Sequence, residues 1–285
     1  MMELSQLPLS GLLAWLSFCA VLGLVIAIII LRALAVSQNT PVPKWRLPRS
    51  PIHLLVVLGS GGHTAEMLSM LRRMRLDPMK YTYRTYVVSY GDHFSAAKAV
   101  EFESNLTGHG AGPASYCIVT VPRARHVHQS YLTAPFSTLQ SFWSCLLVLR
   151  GLHPDQHQNE LPRQLPTPYP DLILTNGPAT AVCVILAAKL LRGWHYCLSI
   201  LFPARKHSHQ RSMIGAGADR KASPSQDVRL RTIFVESWAR VKTLSLSGKI
   251  LLPFADRFLV QWPALGGKRA WPGMRKTEYV GALVD

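Results

Sequence analysis

The chain has 285 residues, 48% of them hydrophobic, which is enough to bury one large core or two small ones. Thirty-one basic against 15 acidic side chains leave a net charge of +16, which suits an anionic neighbour such as phosphate, nucleic acid or an acidic membrane face. The five cysteines (Cys19, Cys117, Cys145, Cys183, Cys197) are far apart with no CxxC pair, so they read as small core hydrophobes in a reducing compartment, not as a disulfide framework or a zinc site.

The first element is "LSGLLAWLSFCAVLGLVIAIIIL", residues 9 to 31, which carries no charge. As a helix it spans roughly 34 Å, enough for a bilayer core. It is longer than the apolar run of a signal peptide, and only Glu3 precedes it where a signal peptide would be basic. Residues 1–36 are therefore expected to form a membrane anchor. Arg32, Lys44, Arg46 and Arg49 follow the span with no acid among them. The positive-inside tendency then puts the N-terminus in a lumen and residues 32–285 in the cytosol. "SQNTPVPKWRLPRSP" (37–51) is basic and proline-rich, a linker.

Beyond it, strands and helices alternate. "IHLLVVLG" (52–59) is a buried strand and 63–75 a helix with Met67, Met70, Leu71 and Met74 on one face. "YRTYVVSY" (83–90), "SYCIVTVP" (115–122), "DLILTNG" (171–177) and "RTIFVES" (231–237) are further strands, with helices over 93–104, 135–151, 178–192 and roughly 240–252 between and after them. "DRFLVQW" (256–262) and "EYVGALV" (278–284) are terminal strands. This alternation predicts an α/β fold, a Rossmann-like parallel sheet with helices on both faces, over residues 52–285. The apolar helix at 135–151, with Phe136, Leu139, Phe142, Trp143 and Leu146, reads as core, a membrane-docking face being the sharper alternative. Residues 153–169 and 203–229 are polar and aperiodic and read as surface insertions. Without them the soluble part has about 190 residues, the size of one such domain.

"VVLGSGGHTAEML" (56–68) carries the chemistry. The first strand ends in Gly59-Ser60-Gly61-Gly62 and a helix starts near His63. Glycines let the backbone approach a ligand, and a helix start offers unpaired N–H groups and a positive dipole end. Gly59, Ser60, Gly61, Gly62 and Thr64 are thus candidate phosphate-binding residues at the carboxyl edge of the sheet. The loop does not match the GxGxxG spacing cleanly, and no acid ends the second strand to hold a ribose, which argues against a membrane-tethered NAD(P) oxidoreductase. Walker A is absent. His63 is the candidate catalytic group, able to accept a proton from a hydroxyl or to orient it; Glu66, one turn on, is explained by the helix dipole. Arg123 and Arg125 after the third strand, Asn176 and Gly177 after the fourth and Glu236 after the fifth point at the same edge as acceptor- or phosphate-binding candidates. No metal and no cofactor are expected.

In order along the chain, "LGSGGHTAEML", "VPRARHVHQS", "DLILTNGPAT", "FVESWARVKTLSLSGKIL", "ADRFLVQWPAL" and "EYVGALV" resemble the membrane-anchoring subunit family of the two-chain UDP-N-acetylglucosamine transferase of asparagine-linked glycosylation. The resemblance covers nearly all of 52–285 apart from the two insertions. Ala179 departs from it, since the family usually has glycine there, and so does the long basic insertion. The resemblance implies the N-terminal, acceptor-side half of a GT-B glycosyltransferase split into two chains. It implies transfer of N-acetylglucosamine from UDP-N-acetylglucosamine to a GlcNAc-diphosphodolichol acceptor at the cytosolic face of the endoplasmic reticulum. It also implies a soluble catalytic subunit as partner, no nucleic acid partner and no activity of this chain alone. Gln261, Trp262, Tyr279, Val280, Leu283 and Val284 are the partner-contact candidates it gives. A non-enzymatic scaffold remains the other alternative.

Overall fold

The computed structural model describes residues 9–39, 51–74, 76–77, 80–107, 116–125, 129–130, 132–157, 165, 167–201 and 229–284. The insertion at 203–229, apart from Arg229, and most of the linker at 37–51 lie outside these residues.

Among the described residues seven strands form one sheet: β1 (His53–Val57), β2 (Tyr83–Ser89), β3 (Tyr116–Val121), β4 (Leu172–Asn176), β5 (Arg231–Val235), β6 (Arg257–Val260) and β7 (Glu278–Tyr279). Their order is β3-β2-β1-β4-β5-β6-β7, and every pairing is parallel. The chain runs outward from β1 to β3, then crosses back to β4 and continues to the other edge. The switch point lies between β1 and β4. All five residues of β1 are buried, as expected for a strand covered on both faces.

Helices α2 (Gly62–Arg73) and α3 (His93–Thr107) cover one face, where Met67, Leu71 and Phe102 pack on Leu54, Val56 and Tyr86. Buried Arg84 and Glu103 tie α3 to β2 through a bidentate pair at 2.6 and 2.7 Å. Helices α4 (Ala134–Leu149) and α6 (Ala179–Leu201) cover the other face, with Cys145, Val148, Cys183 and Val184 against Leu55 and Val119. α6 is long and apolar enough to cross a membrane, but its Ala181, Ile185, Ala187 and Ala188 are buried, so it is a core helix. Cys117, Cys145 and Cys183 are buried as core residues, but Cys19 on the N-terminal helix and Cys197 on α6 are exposed, against the reading of all five as core; no disulfide forms among the described residues.

Several elements differ from the sequence reading. α1 (Leu9–Asn39), long and apolar enough to span a membrane, runs past residue 36 into the stretch read as linker. Its end is docked on the domain: buried Gln38 donates to the carbonyls of Leu252 and Ala255 at 3.0 Å and accepts from the Arg275 amide at 3.1 Å. α4 is only half core. Phe142 and Leu146 pack against the core cluster, but Phe136 is 78% and Trp143 63% exposed, and Leu139 is exposed with them. The helix buries the side carrying Ser141, Cys145 and Val148 and turns the bulkier residues outward. The stretch after it, read as a surface insertion, opens with the short helix α5 (Pro154–His157), whose Gln156 is buried and whose Asp155 accepts the Thr120 amide of β3 at 2.8 Å. α7 (Leu246–Leu251) is shorter than the 240–252 expected because Ser245 caps it, accepting the Gly248 amide at 2.9 Å. β7 stops at Tyr279, and Gly281 at φ 75° turns the chain so that Leu283 and Val284 pack back on the core.

Candidate functional site

The loops after β1 and β4 meet at the switch point, where open α/β sheets hold ligands. Gly61 takes φ 58° and ψ −117°, a conformation that glycine alone enters at little cost, and no side chain caps α2 behind it. Ser60, Gly61 and Gly62 are exposed along the lip of the site. The first turn of α2 therefore presents backbone N–H groups and the positive dipole end to whatever enters.

His63 stands in that first turn and its imidazole lies against the backbone of Gly177, which has φ 49°. Gly59 touches the same side chain from below: a Cβ there would fall 2.6 Å from the His63 Cβ and 3.1 Å from Pro178. The two glycines form a slot only as wide as the ring. His63 Nδ1 is buried without a hydrogen bond, 3.7 Å from the Glu66 carboxylate, while the side chain as a whole is 38% exposed. One edge of the ring thus faces the protein and the rest faces the opening.

Glu66 is the hub of the site. One carboxylate oxygen accepts from the Trp238 amide at 2.5 Å and from Gln261 Nε2 at 2.9 Å; the other accepts from Asn176 Nδ2 at 3.4 Å. Burial pushes its pKa up, but His63, the Trp238 amide, Gln261 and Ser237 outweigh that and hold it below the usual carboxylate value. A carboxylate beside a ring nitrogen fixes which way the imidazole faces. Glu66 thus joins α2 to the ends of β4, β5 and β6. In the sequence it reads as a helix-dipole residue, and the signal for this role is its three-residue spacing from His63, which puts both on one helix face.

The candidate residues separate into two groups. The structure brings Gly59, Ser60, Gly61, Gly62, His63, Asn176 and Gly177 together. Of these, Asn176 is fully buried and donates to the His63 carbonyl at 3.0 Å, so it sets the loop and its Oδ1 stays buried without a hydrogen bond. Thr64 is also buried. Its hydroxyl donates to the Gly59 carbonyl and meets Ser95 Oγ at 2.7 Å, which holds the glycine turn to α3. Arg123 and Arg125 follow β3, two strands out from β1; Arg123 donates to the Tyr90 carbonyl at 3.0 Å and Arg125 to that of Gln129 at 3.3 Å. Glu236 is buried and faces its own backbone, accepting the amides of Ser245 at 3.1 Å and Ser237 at 3.3 Å. Burial raises its pKa, only partly offset by these bonds. It caps the turn before α7 and does not face the opening.

The partner-contact candidates divide likewise. Gln261 is 2% exposed and bonds Glu66, the Glu236 carbonyl and the Leu283 amide, so it is an internal bolt. Leu283 and Val284 pack partly buried on the core. Tyr279 and Val280 are exposed, and Trp262 is half-buried against Trp238, with ring centroids 4.4 Å apart. Among the described residues no group of three or more His, Cys, Asp or Glu side chains could hold a metal ion.

The family model described as "Oligosaccharide biosynthesis protein Alg14 like" matches residues 54–283. A protein of Aspergillus fumigatus named UDP-N-acetylglucosamine transferase subunit alg14 is 60% identical over 234 residues, which cover 77% of this chain and 100% of the relative. The like-named subunit of Schizosaccharomyces pombe is 37% identical over 81% of this chain and 83% of its own. The human subunit is 32% identical over 93% of this chain and 96% of its own. No solved structure matches. The glycine loop, the His63–Gly177 slot and the β6–β7 ends all fall inside the matched span, and the chain belongs to the Alg14 family.

Proposed function

We propose that this chain is the membrane-anchoring, acceptor-side subunit of a UDP-N-acetylglucosamine transferase that adds the second GlcNAc to GlcNAc-diphosphodolichol. Its N-terminal helix holds it in the endoplasmic reticulum membrane with the sheet in the cytosol, and it recruits a soluble catalytic subunit. The observation that carries this reading is the slot at the β1–β4 switch point, where the His63 imidazole lies on Gly177 beside the uncapped start of α2. The names of the relatives supply the substrate class.

In this reading the amides of the Gly61–Gly62 turn and the first turn of α2 hold the acceptor diphosphate. His63 faces the acceptor hydroxyl, orients it and takes its proton as the oxygen attacks the anomeric carbon and UDP leaves, with inversion. Glu66 is a positioning residue that fixes the ring. One sheet provides one wall, while a two-domain glycosyltransferase places its donor between two walls. The second wall, with most of the sugar-nucleotide contacts, comes from the soluble subunit, so this chain is half of the split GT-B enzyme and is inactive by itself. Exposed Tyr279 and Val280 and half-buried Trp262 are its contacts for that subunit.

Glycosyl transfer from UDP-N-acetylglucosamine to a GlcNAc-diphosphate lipid, measured with the purified chain alone and then with the soluble subunit, tests this. Activity in the pair alone is expected. Turnover by the chain alone would make it a complete enzyme, and no turnover in either case would leave a scaffold.

A further inference from the structure

A cavity of about 300 Å³ opens at the amino-terminal edge of the sheet, the edge opposite the glycine loop. Five cations line it: Lys80, Arg229, Arg231, Arg257 and Arg275. They come from the starts of β5 and β6 and from the loops before β2, β5 and β7. Ile52, Leu172 and Ile233 supply apolar walls, which lower the local dielectric and strengthen any charge interaction inside.

The two carboxylates in the lining are already matched. Asp256 accepts from Lys189 at 2.6 Å, from Arg192 at 2.7 Å and from the Thr232 amide at 3.0 Å. Asp171 accepts the His53 amide at 3.0 Å and faces Arg229 at 3.5 Å. Outside the lining, Glu278 pairs with Arg257 across β6 and β7. Burial, with Arg192 and Arg231 adding to it, holds the Lys189 pKa down to about 8 in spite of Asp256. Among the described residues the lining thus sets five cations against two carboxylates, a balance that favours an incoming anion.

The cavity's place in the chain says where that anion comes from. Gln38, at the docked end of α1, is part of the lining. It lies seven residues past Leu31, the end of the uncharged run, about 10 Å along the helix. The polar layer of a bilayer is itself about 5 to 8 Å deep on each side. Arg275, whose amide donates to Gln38 at 3.1 Å, then stands within side-chain reach of headgroup phosphates.

We propose that this cavity binds the phosphate of an anionic lipid headgroup, a second point of contact that fixes the domain's attitude on the membrane. Guanidinium groups suit the task, because each offers forked donors to phosphate oxygens. The proposal rests on α1 spanning the bilayer, but the phosphate site itself can be tested apart from it.

The full chain in neutral detergent is titrated with dioctanoyl phosphatidic acid, dioctanoyl phosphatidylcholine and inorganic phosphate, with thermal unfolding as the readout. Phosphatidic acid at ten times its Kd is expected to raise the Tm by about 4 °C. The shift should vanish in Lys80→Gln/Arg257→Gln, two exposed cations, and in Arg231→Gln/Arg275→Gln. An equal shift with inorganic phosphate supports the site and assigns it to a soluble phosphate. No shift with either phosphate, an equal shift with phosphatidylcholine, or a shift undiminished in Lys80→Gln/Arg257→Gln overturns the proposal. Alkaline carbonate extraction of the chain from membranes reports on α1 separately: a chain that is extracted yet binds phosphate loses the span and keeps the cavity.

Discussion

The His63 imidazole rests directly on the Cα of Gly177: a Cβ on that glycine would fall 2.5 Å from Nδ1 and 2.8 Å from Nε2, and closer still to Cε1. Two residues 114 positions apart are thereby mutually required, since the ring can take this place only where position 177 has no side chain.

Gly177→Ala follows from that contact. The new methyl group must displace the ring, and the φ of 49° adds about 1 kcal/mol of backbone strain for an L residue. Turnover of the assembled enzyme should fall about 100-fold, as expected for a reacting group misplaced by an ångström. Circular dichroism should show the fold retained. Full activity in the Gly177→Ala enzyme would remove His63 from the reaction.

Glu66→Gln separates positioning from packing. Glutamine keeps an oxygen for the Trp238 amide but loses the negative charge facing His63 Nδ1. We expect about a 10-fold lower kcat with KM little changed, against about 100-fold for His63→Ala. The pH–rate profile should shift as well, which a purely structural defect would not produce. A lower plateau with an unmoved profile would reduce Glu66 to a structural bolt.

Truncation at the C-terminus is a poor test of the partner surface, because the Leu283 amide bonds Gln261 and Arg73 holds the Ala282 carbonyl. Point changes at exposed positions are cleaner. Tyr279→Ala with Val280→Ser should weaken co-purification with the soluble subunit at least about 10-fold, the cost of about 1.4 kcal/mol at an interface. The Tm of the lone chain should move by less than about 2 °C. Undiminished complex formation would move the interface elsewhere.

His53 sets part of the acid limit of stability. Burial holds its pKa down to about 3, and its Nε2 meets Thr85 Oγ1 at 2.8 Å. Between pH 6.5 and 3 the unfolded chain binds a proton there that the folded chain refuses. Stability due to His53 is therefore complete above about pH 6.5 and is lost as pH falls, by up to about 1.4 kcal/mol per pH unit. Denaturant unfolding of His53→Gln, which can still bond Thr85, should show a shallower fall between about pH 6.5 and 5 than the parent chain. Equal slopes would assign the acid sensitivity to other groups.

Much of the fold was legible along the chain because its signals are local. A 23-residue uncharged run needs no partner to declare a long apolar helix, and seven β-rich runs between helical periods dictate a parallel sheet. The glycine turn was equally plain, since positive φ and close backbone approach demand glycine whatever lies opposite. Which polar residues face the opening was not legible. Asn176, Thr64, Glu236 and Gln261 have the right chemistry and position for ligand or partner contact. Folding spends their hydrogen bonds on backbone groups that would otherwise be buried unpaired. Glu66 looked like an ordinary helix-dipole residue until the ends of three strands closed around it. The exposed half of α4 and the docking of Gln38 likewise depend on which helix packs on which. Most of the elements, the parallel order of the sheet and the glycine turn can be read along the chain, because they rest on backbone conformation and apolar periodicity. That His63, Gly177 and Glu66 form one unit could be seen in the folded chain alone, because it depends on how strands distant in sequence converge at the β1–β4 switch point.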